Sequence, residues 1–368
     1  MTGTRPFRLG LTPWTLALND WRFDFAVEHA DLIALHGVSD QLGRTIPWFP
    51  FADAGDYEVY RERLATPRYR PVLDVLDRLK VACAGRVVYL SEELLAERCR
   101  LAAPFEGEYP ASFLRRGVPS FRRRAVRAAA ANFARFLVDH FHPIAFSPFI
   151  EFNTARLRFA ETVADEWGAV CDTYRTIYHS LKHAYPPLLV FPSWHWDLLL
   201  QDEARTRQDF RVVREVAQLD TGGTLDVFGL SSYPNSPFNF GSLDVTPESL
   251  PPDYLTRAAS LLPGRPLAVS ETGWYADVPR YAEQRLYIER LLDDAGKLDM
   301  RFVVHFFVED QMYGHTRDGV REHVPLPFGL RQGAPGFEAK PALAVWDAVL
   351  RRPLLSTEAE GVAPTVPA

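Results

Sequence analysis

The sequence predicts a single (β/α)₈ barrel, and three observations lead to this prediction. Eight short runs rich in apolar residues occur along the chain, most of them without polar alternation, as in strands buried on both faces of a parallel sheet. Helical patterns lie between these runs, and eight such alternations favour a closed barrel over an open doubly wound sheet. No glycine-rich dinucleotide-binding loop follows the first run, which further disfavours the open sheet.

The elements follow one another regularly along the chain. The predicted strands are residues 7–12, 31–35, 86–90, 144–149, 188–192, 227–231, 267–270 and 302–307. The clearest predicted helices are residues 72–80, 125–140, 160–183, 252–262 and 281–294. The helical assignment is best seen at residues 125–140, where one face carries Val126, Ala130, Phe133, Leu137 and Val138 and the opposite face is polar.

Length and composition agree with one barrel domain. The chain has 368 residues, and single barrels run from about 200 to over 400 residues. Hydrophobic residues make up 47% and charged residues 24%, which predicts a globular protein with a large core. We predict that residues 1–352 form the barrel. Residues 353–368 contain few large apolar side chains, and we predict a flexible tail there.

Charge and cysteine content exclude several function classes. The net charge of −6 gives little reason to expect nucleic-acid binding. The arginine-rich stretch at residues 115–127 is interpreted as a solvated face, with a phosphate- or acid-binding patch as the alternative. No window approaches the roughly 18 apolar residues of a membrane span. The three cysteines have neither a CxxC spacing nor nearby histidine pairs, and no HExxH, EF-hand or P-loop motif is present, so no metal or cofactor is predicted.

The amino terminus bears on localisation. Residues 1–10 lack the apolar run of a signal peptide, so a cytoplasmic protein is the default expectation. A secreted protein trimmed of its export signal would have the same sequence. The sequence makes no prediction of oligomeric state.

Two glutamates end apolar runs, at the fourth and the seventh predicted strands. Glu151 follows residues 143–150 and Glu271 follows residues 265–270. In a barrel the carboxyl ends of the strands form the active-site face, so both side chains are predicted to point into the barrel mouth. One carboxylic acid can protonate a departing glycosidic oxygen while the other attacks, or activates water at, the anomeric carbon. Alternatively, either glutamate could cap a helix or pair with an arginine.

Further polar and aromatic residues follow most of the predicted strands. Polar side chains can bind sugar hydroxyls, and aromatic faces can stack on the apolar C–H face of a sugar. His305 lies within the last strand and is interpreted as a core histidine. The candidate substrate-binding residues are Trp14, His36, Asp40, Arg44, Trp48, Asn153, Trp194, His195, Trp196, Trp274 and Glu309.

Several short motifs, in order along nearly the whole chain, resemble the clan A glycoside hydrolases, which are retaining (β/α)₈ glycosidases. Residues 269–274 (VSETGW) resemble their strand-seven nucleophile motif, and residues 149–153 (FIEFN) stand where their acid/base lies. Residues 231–234 (SSYP) resemble the segment whose tyrosine hydrogen-bonds the nucleophile, and residues 329–330 with 338–342 resemble the end of the barrel. The resemblance implies retaining hydrolysis of a β-glycosidic bond in an oligosaccharide or polysaccharide. It assigns Glu271 as nucleophile, Glu151 as acid/base and Tyr233 as the partner of Glu271.

The sequence departs from the clan at two positions. Ile150 stands just before Glu151, where the clan usually has an asparagine that contacts the sugar 2-hydroxyl, and Asn153 follows two residues later. Phe306 and Phe307 stand where a tryptophan platform is common. The first departure favours a second hypothesis, a catalytically degenerate barrel that binds carbohydrate, whereas retention of both glutamates favours a glycosidase.

A third hypothesis is another barrel hydrolase or lyase, such as a metal-dependent enzyme. It would need ligands from several strand ends. His36, His195, Asp197 and His305 are available, but they form no known ligand pattern.

Overall fold

The barrel predicted from the sequence is the architecture of this protein. The computed structural model describes residues 3–13, 21–42, 44–53, 55–96, 100–158, 166–201, 203–221, 223–237, 242–317, 320–333 and 337–355. The barrel strands are β1 Arg8–Leu11, β2 Leu32–His36, β3 Val87–Ser91, β4 Ala145–Ser147, β5 Leu189–Val190, β6 Ser193–His195, β7 Phe228–Ser232, β8 Leu267–Thr272 and β9 Met300–His305. All eight predicted strands are confirmed; the fifth, residues 188–192, corresponds to β5, and β6 follows directly after its predicted end.

The sheet is parallel throughout and curls into a closed barrel. Its strand order is β5-β4-β3-β2-β1-β9-β8-β7-β6, so its two ends are consecutive segments of the chain. Pro192 divides these segments because it has no N–H to donate to the ladder. Hydrogen bonds flank the break: the Ser193 N–H donates to Phe149 O over 3.0 Å and the Asp226 N–H to Val190 O over 3.2 Å. The divided strand therefore closes the barrel.

Helices surround the sheet. They are α1 Trp21–His29, α2 Trp48–Phe51, α3 Tyr57–Leu64, α4 Arg70–Ala82, α5 Arg124–Phe141, α6 Phe152–Arg158, α7 Trp167–Ala184, α8 Trp196–Leu200, α9 Glu203–Val216, α10 Thr256–Leu261, α11 Tyr281–Ala295 and α12 Pro341–Leu350. All five predicted helices end within two residues of the predicted carboxyl end, and the one predicted for residues 252–262 is helical only from Thr256. None of the helices in the described part of the chain is long and apolar enough to cross a membrane.

An aromatic layer fills the barrel beneath its mouth. Tyr89, Phe191 and Phe302 are buried, and the ring centroids of Tyr89 and Phe302 lie 5.0 Å apart. Gly229 on β7 makes room for this layer, since a Cβ at that position would lie 2.2 Å from the Phe191 ring. The barrel interior is thus a packed core, and any reaction must occur at its open end.

An antiparallel hairpin follows β9. It consists of β10 Gln311–Arg317 and β11 Val320–Leu326. A partly buried ion pair holds its base: Lys340 Nζ donates to Asp310 Oδ1 over 2.6 Å, and the Gly329 N–H donates to the same oxygen over 3.0 Å. Gly329 must stay small there, because a Cβ would lie 2.2 Å from the backbone of Glu309.

The two ends of the described chain meet at Arg5. Its guanidinium forms a two-pronged ion pair with Asp31, both distances being 2.6 Å. Residues 353–355, the start of the predicted tail, pair with its backbone, since the Leu355 N–H donates to Arg5 O over 2.9 Å. The rest of the predicted tail, residues 356–368, lies outside the described residues.

His305 makes stability depend on pH. It is buried on the helix side of β9, where its Nδ1 donates to Phe307 O over 3.2 Å and its ring packs edge-on against Trp346. Burial lowers its pKa from 6.5 to about 3. Between pH 6.5 and pH 3 the unfolded chain therefore binds a proton that the folded chain does not bind. The contribution of His305 to stability is present above pH 6.5 and is lost as the pH falls toward 3.

We expect this histidine to lower the free energy of unfolding by about 2 kcal/mol between pH 7 and pH 5. His305→Asn keeps a side-chain N–H for Phe307 O but does not titrate. Between pH 7 and pH 5, the free energy of unfolding of this variant should therefore fall by about 2 kcal/mol less than that of the parent. Urea denaturation at both pH values measures the difference. The exposed His179→Asn is the matched control and should keep the parent's pH dependence. Equal losses in His305→Asn and the parent would contradict the prediction.

Candidate active site

Glu271 lies in the barrel mouth near the end of β8. Its side chain is 7% exposed. The β7–β8 register shifts between Leu230 and Ser231, so that Ser231 pairs with Glu271 and not with Ser270. Such an irregularity re-aims side chains. Tyr233 Oη donates to Glu271 Oε2 over 3.0 Å, and Ser231 Oγ donates to Glu271 Oε1 over 3.3 Å.

Glu151 enters the mouth from the turn between β4 and α6. Its backbone has a φ of 46°, in the left-handed region that is unfavourable for a glutamate by on the order of 1–3 kcal/mol. Two contacts hold this conformation. The Glu151 N–H donates to Ser193 Oγ over 2.9 Å, and Asn153 bonds both the N–H and the carbonyl of His195. The surrounding structure therefore fixes Glu151 at the mouth.

One hydroxyl joins the two carboxylates. Ser231 Oγ lies 2.7 Å from Glu151 Oε1 and 3.3 Å from Glu271 Oε1. Because both distances share this atom, the two carboxylate oxygens lie at most about 6 Å apart. Retaining glycosidases have carboxyl groups about 5–5.5 Å apart, whereas inverting enzymes need roughly 6.5–9.5 Å to hold a water. The upper limit of about 6 Å for these two oxygens is compatible with the retaining distance.

Two histidines flank the pair. His195 Nδ1 accepts the Leu198 N–H over 3.4 Å, which directs Nε2 toward Glu151 Oε1 at 4.0 Å. His36 Nδ1 lies 2.9 Å from Ser91 Oγ, and its Nε2 lies 3.5 Å from Glu271 Oε2. Burial lowers the pKa of His36 to about 3, so its ring is neutral at neutral pH.

The electrostatics of the pair come from burial and proximity. Burial, and then the negative charge of Glu151, raise the pKa of Glu271 well above its usual value, while hydrogen bonds from Tyr233 and Ser231 oppose this. Burial and the Glu271 charge raise the pKa of Tyr233, so its hydroxyl remains a donor. Two close carboxyl groups lose their protons in separate steps, so the pair keeps one proton over an interval of pH.

A buried polar network supports Tyr233 from behind. The Tyr233 N–H donates to Asp197 Oδ2 over 2.6 Å, and Tyr254 Oη donates to Asp197 Oδ1 over 2.5 Å. Tyr254 also bonds Ser232 Oγ, which in turn bonds Tyr287 Oη. The sequence interpretation noted Asp197 but not Tyr254 or Tyr287, because hydroxyl groups on the helix side of a strand give no recognisable pattern.

Four of the five candidate tryptophans lie in the described part of the chain, and all four are buried in the core. Trp48 Nε1 donates to Ala102 O, Trp196 Nε1 to Tyr254 O and Trp274 Nε1 to Glu283 Oε2. Trp194 on β6 faces the helices, with its ring 6.0 Å from that of Phe152. Each of these rings is 0% exposed. None has a face open to a sugar, and we do not retain them as substrate-binding residues.

The remaining candidates are more varied. His36, Asn153 and His195 lie at the mouth, as described above. Glu309 is buried and paired with Arg22. Arg44 is exposed, with a φ of 61°. Asp40 lies in a 3₁₀ turn, Val38–Leu42, and its side chain is outside the described residues, as is all of Trp14.

Phe306 supplies an aromatic surface at the mouth. It is partly exposed, and its ring centroid lies 4.8 Å from His36 and 6.1 Å from Tyr233. The next residue, Phe307, is buried and has a φ of 79°. Of the two phenylalanines that stand at the clan's tryptophan position, only Phe306 is partly exposed, and it lies beside His36 and Tyr233.

Comparison with known proteins supports the fold. Neither a protein-family model nor a curated protein matches the sequence. Among solved structures, GH5_18 from Streptomyces cattleya in complex with GlcNAc is 13% identical, with a TM-score of 0.60 over 96% of this chain and 81% of that one. A mutant of TsXylA, an intracellular xylanase from Thermoanaerobacterium saccharolyticum, in complex with xylotriose, is 12% identical, with a TM-score of 0.55 over 93% and 95%.

A psychrophilic family 10 endo-β-1,4-xylanase gives a TM-score of 0.56 at 12% identity, over 93% of this chain and 96% of that one. These structurally similar proteins are clan A glycoside hydrolases. The predicted resemblance is therefore confirmed for the fold.

Proposed function

We propose that this chain is a retaining glycoside hydrolase of clan A that cleaves β-glycosidic bonds in an oligosaccharide or polysaccharide. One observation carries the proposal. Glu151 and Glu271 come from opposite parts of the barrel and meet at one hydroxyl, with two of their oxygens at most about 6 Å apart, which is compatible with the retaining range. An ion pair or a helix cap would not bring two carboxylates together without a cation, and Arg and Lys side chains contact neither glutamate among the described ion pairs.

The surroundings of the two glutamates support different roles for them. Glu271 receives the Tyr233 hydroxyl and has the neutral His36 beside it, so its ionised form is stabilised for attack on the anomeric carbon. Glu151 is more exposed, at 16% of its side chain, and can meet both a leaving group and water.

The reaction then proceeds in two steps. Glu271 forms an ester with the sugar while Glu151 gives its proton to the departing oxygen. Glu151 next takes a proton from water as the water oxygen attacks the same carbon and releases Glu271 as a carboxylate.

The second hypothesis, a carbohydrate-binding barrel without efficient catalysis, rests on Ile150. An isoleucine side chain cannot hydrogen-bond a sugar 2-hydroxyl, and that contact contributes several kcal/mol to the transition state in glycosidases. Asn153 does not replace it, because both ends of its amide bond the His195 backbone. Phe306 could still stack on a sugar in either case.

A screen for turnover separates the two hypotheses. The purified protein is assayed against aryl β-glycosides and β-linked polysaccharides without added metal, beginning with xylo-oligosaccharides because a structurally similar xylanase mutant holds xylotriose. We expect turnover of at least one substrate, with retention of anomeric configuration by NMR. Binding of a polysaccharide without turnover would support the degenerate barrel. Inversion, or activity only with added metal, would contradict the proposal.

Tyr233→Phe should lower kcat roughly 10- to 100-fold with little change in KM, because a charge-assisted hydrogen bond to the nucleophile is lost. Steady-state kinetics on the best substrate measures this. Tyr178→Phe is the matched control, since Tyr178 Oη bonds Asp226 at the far end of β7. A Tyr233→Phe enzyme with the parent's kcat would exclude this role for the hydroxyl.

A further inference from the structure

Ser231 occupies the point between the two glutamates, and the local backbone puts it there. Without the register shift between β7 and β8, Ser231 would pair with Ser270, whose Oγ instead donates to Leu230 O over 3.0 Å. With the shift, Ser231 Oγ lies within hydrogen-bond distance of Oε1 of both Glu151 and Glu271. Ser231 itself is fully buried.

A hydroxyl group has one proton to donate and can accept through its lone pairs. Between two ionised carboxylates it can satisfy only one of them. Between one carboxylic acid and one carboxylate it satisfies both, because it accepts from the acid and donates to the carboxylate. The hydrogen bonds therefore favour the state in which the pair holds one proton, relative to the states with none or two.

We propose that Ser231 is a positioning residue that bridges protonated Glu151 to ionised Glu271 and so widens the pH interval over which the pair is ready to react. The inference rests on the proposed function for its catalytic meaning, because a retaining glycosidase needs one acid and one carboxylate at the start of its cycle.

Other groups around the pair influence which glutamate accepts the hydrogen bond from Ser231. The Glu271 end faces Tyr233 at 3.0 Å, His36 on β2 at 3.5 Å, and Tyr89 on β3. The Glu151 end faces His195 on β6 at 4.0 Å, and behind it lies Asp197, 4.0 Å from the other ring nitrogen. The Tyr233 hydroxyl thus favours the ionised form of Glu271, against the effect of burial on its pKa.

The test compares parent, Ser231→Ala and Ser270→Ala. In ¹³C NMR of glutamate-labelled protein, the two carboxyls, assigned with Glu151→Gln and Glu271→Gln, report the two apparent pKa values of the pair. We expect Ser231→Ala to bring these values closer by about one unit, as loss of a charge-assisted hydrogen bond implies. The pH profile of kcat/KM should narrow by the same amount. Ser270→Ala, which removes a nearby hydroxyl that touches neither glutamate, should leave the separation unchanged.

The two readouts separate the inference from the proposed function. If no substrate is turned over, the proposed function fails, while the NMR titration still tests the bridge. If the two apparent pKa values of the pair stay equally far apart in Ser231→Ala, or come equally close in Ser270→Ala, the proposed bridge is wrong even in an active enzyme. Ser231→Cys provides a second variant of similar size with a weak donor, and it should narrow the separation as well.

Discussion

Replacing Glu271 by alanine should lower kcat/KM by roughly 10⁴-fold or more, because the attacking group is removed and nothing near it can take its place. The closest side chains are Tyr233, Ser231 and His36. Burial holds the pKa of Tyr233 far above neutrality and that of His36 far below. These groups orient Glu271 but cannot replace its carboxylate at the anomeric carbon.

A small anion should restore the missing nucleophile. With an activated aryl glycoside, azide can occupy the space that the Glu271→Ala substitution opens and attack the anomeric carbon directly. The product should be a glycosyl azide of inverted configuration, detectable by NMR. Glu289→Gln, a change of a partly exposed glutamate paired with Arg285 on the outer face of α11, is the control and should keep the parent's rate. A Glu271→Ala variant with more than one tenth of the parent's activity would exclude it as nucleophile.

The barrel was predictable because buried parallel strands have a simple sequence pattern. A strand covered on both faces reads as a short apolar run, and all eight such runs proved to be strands. Both glutamates could be recognised in the same way, since each follows an apolar run at the end of a strand. The helices Trp21–His29 and Glu203–Val216 were not among the predicted helices; the first has only nine residues, and the second is rich in charged residues.

The substrate-binding residues were harder to predict because adjacent residues of a strand face opposite sides. Trp194 and His195 are neighbours with similar chemistry, yet Trp194 packs toward Phe152 and His195 faces Glu151. A period-two pattern cannot say which residue faces inward when both are large and amphipathic. Composition at a strand end therefore indicates that a site exists without selecting its members.

Ser231 shows a second limit. It stands two residues before Tyr233 in the SSYP segment, and nothing in the segment distinguishes it from Ser232. The structure separates them: Ser231 bonds both glutamates, whereas Ser232 bonds Tyr254 and Tyr287 on the helix side. The register shift that decides this involves two strands at once, so it has no signature in either strand alone.

Glu151→Ala should show an effect that depends on the leaving group. General acid catalysis contributes roughly 10²- to 10⁴-fold, and a leaving group that departs without protonation does not need it. We expect kcat/KM for a polysaccharide to fall by that factor. For an activated aryl glycoside the first step should be nearly preserved, so that the glycosyl-enzyme accumulates and KM falls together with kcat.

Azide distinguishes this variant from Glu271→Ala. In Glu151→Ala the ester on Glu271 still forms, so azide attacks the glycosyl-enzyme and yields a glycosyl azide of retained configuration. The two variants should thus give opposite anomers from the same substrate. The same anomer from both, or equal losses on good and poor leaving groups, would contradict the assignment of Glu151 as acid/base. In that case the left-handed backbone at Glu151 and its support by Ser193 and Asn153 would serve only the turn into the helix Phe152–Arg158.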